Sequence, residues 1–242
     1  MMATQATVSS ADGAAALSTP GPILLLGAPG AGKGTQAKAL MTQWSIPQIS
    51  TGDLLRSLRQ DPTRSLSPLA QQIREVMDAG RLVPDELVQA MVLERLQFPD
   101  TARGYVLDGF PRTLAQARWL DATLAESPGT LPVVAVSIRV SYNDVLRRVT
   151  GRRTCPVCGR IYNTYSNPPL TDMVCDADGT ALVQRADDTI EVFSERMRTY
   201  RELTAPVVAH YRAQERFAEV DGDLPVAEVT KAVSGAIVRL RK

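Results

Sequence analysis

Lysine, histidine and cysteine are scarce in this chain of 242 residues. None of its hydrophobic stretches approaches the ~18 consecutive apolar residues that a membrane-spanning helix needs, which argues against an integral membrane protein. The formal charge is +1, so the chain lacks the basic excess that holds long polyanions, and nucleic acid is not an expected partner. The first 20 residues contain no lysine or arginine. They have neither the charged start of a secretory signal nor the arginine-rich character of a transit peptide, and residues 1–20 read as a disordered tail. Three cysteines are present, all between 155 and 175. That clustering fits one local site better than a disulfide framework spread through a secreted fold, and a cytoplasmic location follows. The single histidine, His210, stands near Pro206, remote in sequence from every motif described below, and is assigned no role.

Arginine is what the chain has in plenty. Lys33, Lys38, Lys231 and Lys242 are the only lysines, so 23 of the 27 basic residues are arginines, whose planar fork suits two-point contacts to phosphate. Biased codon usage accounts for many surface arginines, so position has to identify the functional ones. With 44% hydrophobic and 22% charged residues, the composition is that of a globular protein able to bury a sizeable core.

Residues 22–27 form a short apolar run ending in glycine, which predicts a buried strand. Residues 34–44 follow with Ala37, Leu40, Met41 and Trp44 at helical spacing, so one face of that helix packs on a sheet. Further strands are predicted at 46–50, 104–108, 133–138 and 217–221, with helical stretches between them. The alternation predicts an α/β fold, a parallel, doubly wound sheet of about five strands. Two stretches break the rhythm: 51–83, which is helical in pattern, and 151–188, which carries the cysteines and little helical period. Both read as insertions over the strand carboxyl ends, where ligands bind in such sheets. Asp188-Thr189-Ile190-Glu191 fits a helix start with a reciprocal cap, Asp187 and Asp188 being read as cap or hinge residues. Asp223 and Pro225 open the last helix, whose apolar stripe is Val226, Val229, Val233, Ile237 and Leu240.

Gly27-Ala28-Pro29-Gly30-Ala31-Gly32-Lys33-Gly34-Thr35 directly follows the first strand and opens the first helix, the context that a phosphate-binding loop requires. Glycines let backbone N–H groups turn inward around an anion, the helix start adds its positive dipole end, and Lys33 can reach the outer phosphates. A nucleoside triphosphate is the expected guest, cradled by Gly30, Ala31, Gly32, Lys33, Gly34 and Thr35. Gly34 occupies the place after the lysine where Ser or Thr usually meets magnesium, and Thr35 comes one residue later.

Three further segments accompany this loop: Ser50-Thr51-Gly52-Asp53 with Arg56, Asp108-Gly109-Phe110-Pro111-Arg112 with Gln116, and Gly151-Arg152-Arg153 ahead of the cysteines. In this order they resemble the adenylate kinases of the long-lid form, from about residue 21 to the carboxyl terminus. The resemblance implies a P-loop NTPase-type core (21–50, 84–150 and 189–242), a helical insertion for the nucleoside monophosphate (51–83) and a lid (151–188). It also implies a monomer that works on ATP, AMP and ADP. On the AMP side it implies Thr51, Arg56, the backbone around Arg81, Leu82 and Val83, the turn of Gly109, Phe110, Pro111 and Arg112, and Gln116. Gln116 would read adenine, and Arg56 and Arg112 would hold the phosphate. Arg152 and Arg185 resemble lid arginines that swing onto the transferring phosphates, and Arg148 and Arg196 match others of the set. Lys33, Arg112, Arg152, Arg185 and Arg196 would then carry catalysis, with Arg185 and Arg196 also touching AMP. Arg148, Ile161, Tyr162 and Leu224 would join the ATP side. Arg148 and Arg153 can equally be ordinary helix or turn charges.

Phosphoryl transfer depends on positioning and on neutralising oxygens more than on covalent help, and an abundance of placed arginines suits it. No general base is required, because the acceptor is already an anionic phosphate oxygen. Asp108 ends an apolar strand, the place where a carboxylate of P-loop enzymes meets hydrated Mg2+. Asp53 would join it in the outer shell or instead cap a helix.

Cys155-Pro156-Val157-Cys158 is followed, after sixteen intervening residues, by Cys175-Asp176-Ala177-Asp178. Each half is a two-residue knuckle, and two knuckles at this separation match zinc-ribbon spacing. Asp178 stands where a fourth cysteine would complete the pattern, and a carboxylate oxygen is a legitimate zinc ligand. Cys155, Cys158, Cys175 and Asp178 can thus close a tetrahedral sphere around Zn2+ with no open position, which makes the metal structural; Asp176 has the wrong spacing. This resembles zinc-lidded adenylate kinases, some with a three-cysteine, one-aspartate set. Three unliganded, reduced cysteines are the alternative.

Other readings compete. GTP as donor or another monophosphate as acceptor stays open, because residues 57–69, with Arg59, Asp61-Pro62 and Ser67-Pro68, run longer than usual in the family. They also lack its glycine-threonine-x-leucine-glycine segment; Thr51 and Gln116 favour adenine. A zinc protein that holds nucleotide without turnover would be expected to have lost Lys33, Arg112 or Arg152, and all three are present. A nucleic-acid zinc ribbon would want basic residues at 163–170, where tyrosines and prolines stand.

Overall fold

The computed structural model describes residues 19–60, 68–78, 83–127, 129–185 and 187–242. The first strand, β1 (Gly21–Leu26), is buried along its whole length. Ile23 and Leu25 enter one core while Leu24 and Leu26 enter another. A continuous apolar run of this kind belongs in a parallel sheet covered on both faces. β2 (Gln48–Ser50), β3 (Gly104–Asp108), β4 (Val134–Arg139) and a carboxyl-terminal strand, Phe217–Asp221, complete the sheet, which is parallel throughout. With that last strand numbered β7, the order is β2-β3-β1-β4-β7. The strands expected at 104–108 and 217–221 coincide with β3 and β7. The one expected at 46–50 is shorter, Gln48–Ser50, with Ile46 buried ahead of the ladder.

One face is covered by α1 (Lys33–Trp44), α6 (Tyr142–Thr150), α7 (Ile190–Thr199) and α9 (Val226–Leu240), through Leu40, Val145, Phe193 and Val233 among others. The other is covered by α4 (Asp85–Leu96), α5 (Leu114–Ala125) and α8 (Ala205–Ala213), through Val92, Leu120 and Tyr211. Each fully buried aliphatic side chain of these layers contributes about 1.5–3 kcal/mol. Thr113, Ser141 and Thr189 cap α5, α6 and α7 by accepting N–H bonds with their hydroxyls. A π-helical turn, Tyr200–Thr204, joins α7 to α8, where Pro206 has no N–H to continue the regular ladder. His210, on α8, meets Asp121, which Arg216 also holds. Among the described residues, no helix is long and apolar enough to cross a membrane.

The reciprocal cap expected at 188–191 does not form. Thr189 alone caps α7, with Val192 N–H as donor, because the Asp188 side chain is drawn inward as described below. The first insertion consists of α2 (Thr51–Gln60) and α3 (Pro68–Asp78), which pack through Leu58, Ala70 and Ile73 onto Met91 of α4. Since α4 also sends Val92 into the sheet core, it joins insertion to body. The second insertion is built on an antiparallel pair, β5 (Arg152–Thr154) and β6 (Ile161–Asn163). Among the described residues its own apolar core is Cys155, Tyr162, Cys175 and Leu182.

Candidate active site

The glycine loop, the segment at Thr51 and the turn Gly109–Arg112 follow directly on the carboxyl ends of β1, β2 and β3. Between β1 and α1 the chain turns through Gly30 at φ 85, where a Cβ would stand 2.6 Å from Val149 Cγ2; a side chain has neither the torsion nor the room there. Gly32, at φ 98, opens α1, so the loop delivers its N–H groups to the positive end of the helix. Lys33 Nζ donates to the carbonyls of Gly27 at 2.8 Å and Ala28 at 3.0 Å. The side chain as a whole is half-buried, yet its ammonium is enclosed by the loop. Burial pushes it down, Asp108 pulls it up, and Arg112, Arg196 and Arg152 push it down again, to about 8.

Asp108, at the end of β3, accepts from Gln48 Nε2 at 3.0 Å, and its Oδ2 lies 3.7 Å from where a Cβ on Gly34 would be. The carboxylate therefore faces the head of α1, as the motif implies. Asp53 is exposed in the first turn of α2, where it is Ser50 Oγ that accepts the Asp53 N–H. The capping role weighed for Asp53 belongs to Ser50.

Thr51 is buried and donates its hydroxyl to the Gly109 carbonyl at 3.0 Å. Gly109 adopts φ 81, with Thr51 Oγ1 and Arg112 Nη2 crowding the position of a Cβ. Phe110 and Pro111 are buried, Phe110 edge-on to Trp119 at 6.0 Å. This rigid turn carries Arg112, whose Nε donates to the Gly109 carbonyl at 2.7 Å and whose own carbonyl accepts from Thr204 Oγ1. Gln116 Oε1 accepts the Arg112 N–H at 2.7 Å, and Gln116 Nε2 donates to Asp85 Oδ1 at 2.7 Å. Val83 packs against the core of the first insertion. Arg81, Leu82 and the Arg56 side chain lie outside the described residues.

Arg152 and Arg196 are held by the two aspartates that were read as caps or hinges. Arg152 makes a two-point contact with Asp188, Nε to Oδ2 at 2.8 Å, and that aspartate is fully buried. Arg196 Nη1 donates to Asp187 Oδ2 at 2.7 Å. For Asp188 the cause is burial: a buried carboxylate needs a charged partner, and that partner lies 36 residues away in sequence. Arg185 sits in the same turn, its carbonyl accepting the Asp188 N–H. Arg148 is turned elsewhere, with Nη2 on the Gly222 carbonyl at 2.9 Å and 3.8 Å from Asp223, beside the exposed Leu224. Arg153 bonds the carbonyls of Thr150 and Arg152 and acts as a turn residue.

Ile161 lines an open cleft with Thr35, Lys38, Cys158 and Arg160 where the second insertion meets α1. Lys38 Nζ reaches the Gly159 carbonyl at 3.2 Å across it. Tyr162, next to Ile161, turns its side chain into the insertion. Its side chain is buried, the hydroxyl accepting from Asp176 N–H and lying 3.5 Å from Cys175 Sγ.

The two knuckles fold alike. Gly159 N–H bonds the Cys155 carbonyl and Gly179 N–H the Cys175 carbonyl, with both glycines left-handed. Asp178 thus occupies the place in its knuckle that Cys158 has in the other. The ligand atoms of Cys155, Cys158, Cys175 and Asp178 all lie within 4.8 Å of one another. Cys158 Sγ is 3.6 Å from Cys175 Sγ, and Cys155 Sγ is 3.3 Å from Asp178 Oδ2. Tetrahedral zinc with ordinary bond lengths would set such edges at about 3.5–3.8 Å, so the residues present fit that ion. The Thr180 backbone N–H holds the Asp178 carboxyl well below the usual carboxylate range, the form a ligand needs. Asp176 instead accepts the Leu170 N–H.

Asp85, Asp187, Asp188 and Gln48 were not picked out as site residues by the sequence. Each stands in an unremarkable local setting and gains its partner only by folding. Comparison with known proteins agrees with the geometry. A sequence profile described as adenylate kinase matches residues 25–216. Proteins named adenylate kinase from Nitrosococcus oceani, Carboxydothermus hydrogenoformans and Archaeoglobus fulgidus are 46%, 44% and 43% identical to it. The alignments cover 87%, 89% and 90% of this chain and 95%, 98% and 99% of those relatives. The chain belongs to the adenylate kinase family.

Proposed function

We infer that this chain transfers the terminal phosphoryl group of ATP to AMP, reversibly, giving two ADP. The observation that carries this reading is that three arginines from separate elements lie near enough to Lys33 to act on its charge. Lys33 is the first residue of α1, and Arg112 comes from the turn after β3, Arg152 from β5 and Arg196 from α7, close enough that the arginines depress the lysine. Arg152 and Arg196 are balanced by Asp188 and Asp187, and two nucleotides meeting end to end bring phosphates within reach of the same cations.

In this reading the N–H groups from Gly30 to Thr35 bind and orient the donor triphosphate, and Lys33 sits against its outer oxygens. Thr51, Arg56, Arg81 to Val83 and the turn of Gly109 to Arg112 enclose AMP, with Gln116 against its base. Arg112, Arg152, Arg185 and Arg196 neutralise charge that spreads over the transferring group, which is where preorganised donors act most strongly. Arg148, Ile161 and Leu224 border the donor's base, and any contribution of Tyr162 is made by its backbone. Asp108 and Asp53 would hold, through water, the Mg2+ that accompanies ATP and screens its phosphates. The insertions 51–83 and 151–188 close over the pair and exclude water. Zn2+ on Cys155, Cys158, Cys175 and Asp178 would staple a lid whose own core is four side chains. A cytoplasmic monomer that handles no nucleic acid completes the proposal.

A coupled assay tests it directly. Purified protein should form ADP from MgATP only when AMP is added, with other nucleoside monophosphates and GTP much poorer. Absence of AMP-dependent ADP formation would overturn the reading.

A further inference from the structure

Asp85 begins α4 directly after Pro84, and the positive end of the helix dipole is explanation enough for an acid there. Its carboxylate is nevertheless bonded to a buried carboxamide of a different helix, Gln116 Nε2, at 2.7 Å. The other end of the same carboxamide, Oε1, accepts the Arg112 backbone N–H at 2.7 Å. A carboxamide owns two N–H donors and two lone pairs on oxygen, and these partners take one of each. They also fix which end is which. Turning the amide over would set its NH2 against the Arg112 N–H, donor against donor, and its oxygen against a carboxylate, acceptor against acceptor. Gln116 therefore presents its remaining N–H and remaining lone pair in one fixed order.

We propose that Asp85 is a positioning residue that sets base specificity: by accepting from Gln116 Nε2 it locks the carboxamide in the order that matches a 6-aminopurine and mismatches a 6-oxopurine. Adenine offers an exocyclic N–H beside an unprotonated ring nitrogen. A 6-oxopurine offers a carbonyl oxygen beside a ring N–H, the same two positions with polarity reversed. An amide free to turn serves both; one held at both ends serves a single pattern and leaves the other with opposed donors and acceptors, the kind of mismatch that discriminates strongly. The inference rests on the reading of Gln116 as the residue that faces the AMP base.

The test is steady-state kinetics with MgATP and either AMP or inosine monophosphate, which differs from AMP only in that edge. Asp85→Asn keeps the shape but can donate as well as accept, so it removes the Asp85 half of the penalty on the turned amide and leaves the half set by the Arg112 N–H. The ratio of kcat/KM for AMP to that for inosine monophosphate should fall roughly tenfold, chiefly through the acceptors' KM, while KM for ATP and kcat with AMP stay within about twofold. Because the ratio is taken on one preparation, partial unfolding cancels from it. Gln116→Leu is run alongside. If Gln116→Leu raises KM for AMP but Asp85→Asn leaves the ratio unchanged, or weakens both acceptors equally, the role of Asp85 is overturned while that of Gln116 stands. If Gln116→Leu leaves KM for AMP unaltered, the reading of Gln116 falls and the proposal with it.

Discussion

Lys33 concentrates the electrostatics of the site on a single group. Burial outweighs the pull of Asp108, three arginines add to the burial, and the ammonium is left at about 8. Phosphates arriving between these cations restore the charge, so binding above that value must take up a proton. The sign follows: ATP affinity is full below about pH 8 and declines above it, by up to tenfold per pH unit. Titration calorimetry near pH 9 in two buffers of different ionisation heat should show net proton uptake; equal heats would contradict the shift. Lys33→Met should lower turnover by about 10²–10³, the loss typical of one preorganised donor, with circular dichroism unchanged. The Lys33 bonds to the Gly27 and Ala28 carbonyls are local ones, so the fold does not need them.

Helix α7 and the knuckles of the second insertion show what single elements contribute. Thr189 caps α7, and α7 carries Arg196. Thr189→Ala should cost about 1 kcal/mol of stability, measured as a lower urea midpoint with kcat nearly intact at low temperature. Asp178→Cys should retain stoichiometric zinc in metal analysis, and Asp178→Ala should lose it, since the sphere needs four ligands to close. Chelation should make residues 155–182 susceptible to protease before the sheet unfolds, because four buried side chains cannot hold that segment alone. If chelator and control digests match, the metal is not the staple. The element scale also marks where local pattern misleads. Met41 was expected in the apolar face of α1 but is half-buried. Gln36 is buried there, its amide spanning to Val226 and Thr230 of α9.

Across the whole molecule, the body was readable because parallel strands buried on both faces write continuous apolar runs. β3 and β7 fall where the runs fall, and the glycine loop declared its own context between strand and helix. The two knuckles were readable from spacing, since each is closed by a bond within a few residues. The partners of the arginines were not. Asp187 and Asp188 looked like caps, because near a helix start an aspartate has a local use. Asp188 meets Arg152 where β5 comes beside the start of α7, and Asp187 meets Arg196 of α7 itself. Asp85 hides for the same reason.

The sequence by itself determined the order of strands along the chain, the glycine loop and the four-residue Cys155, Cys158, Cys175 and Asp178 cluster, all of them written in neighbours or in short spacings. Tertiary structure alone decided which carboxylate meets which cation or amide. Asp188 on Arg152, Asp85 on Gln116 and Gln48 on Asp108 span 36, 31 and 60 residues. A hydrogen bond has a reach of about 3 Å, so at such separations the partner is chosen by the packing that brings two elements side by side, and no local pattern in the chain records that choice.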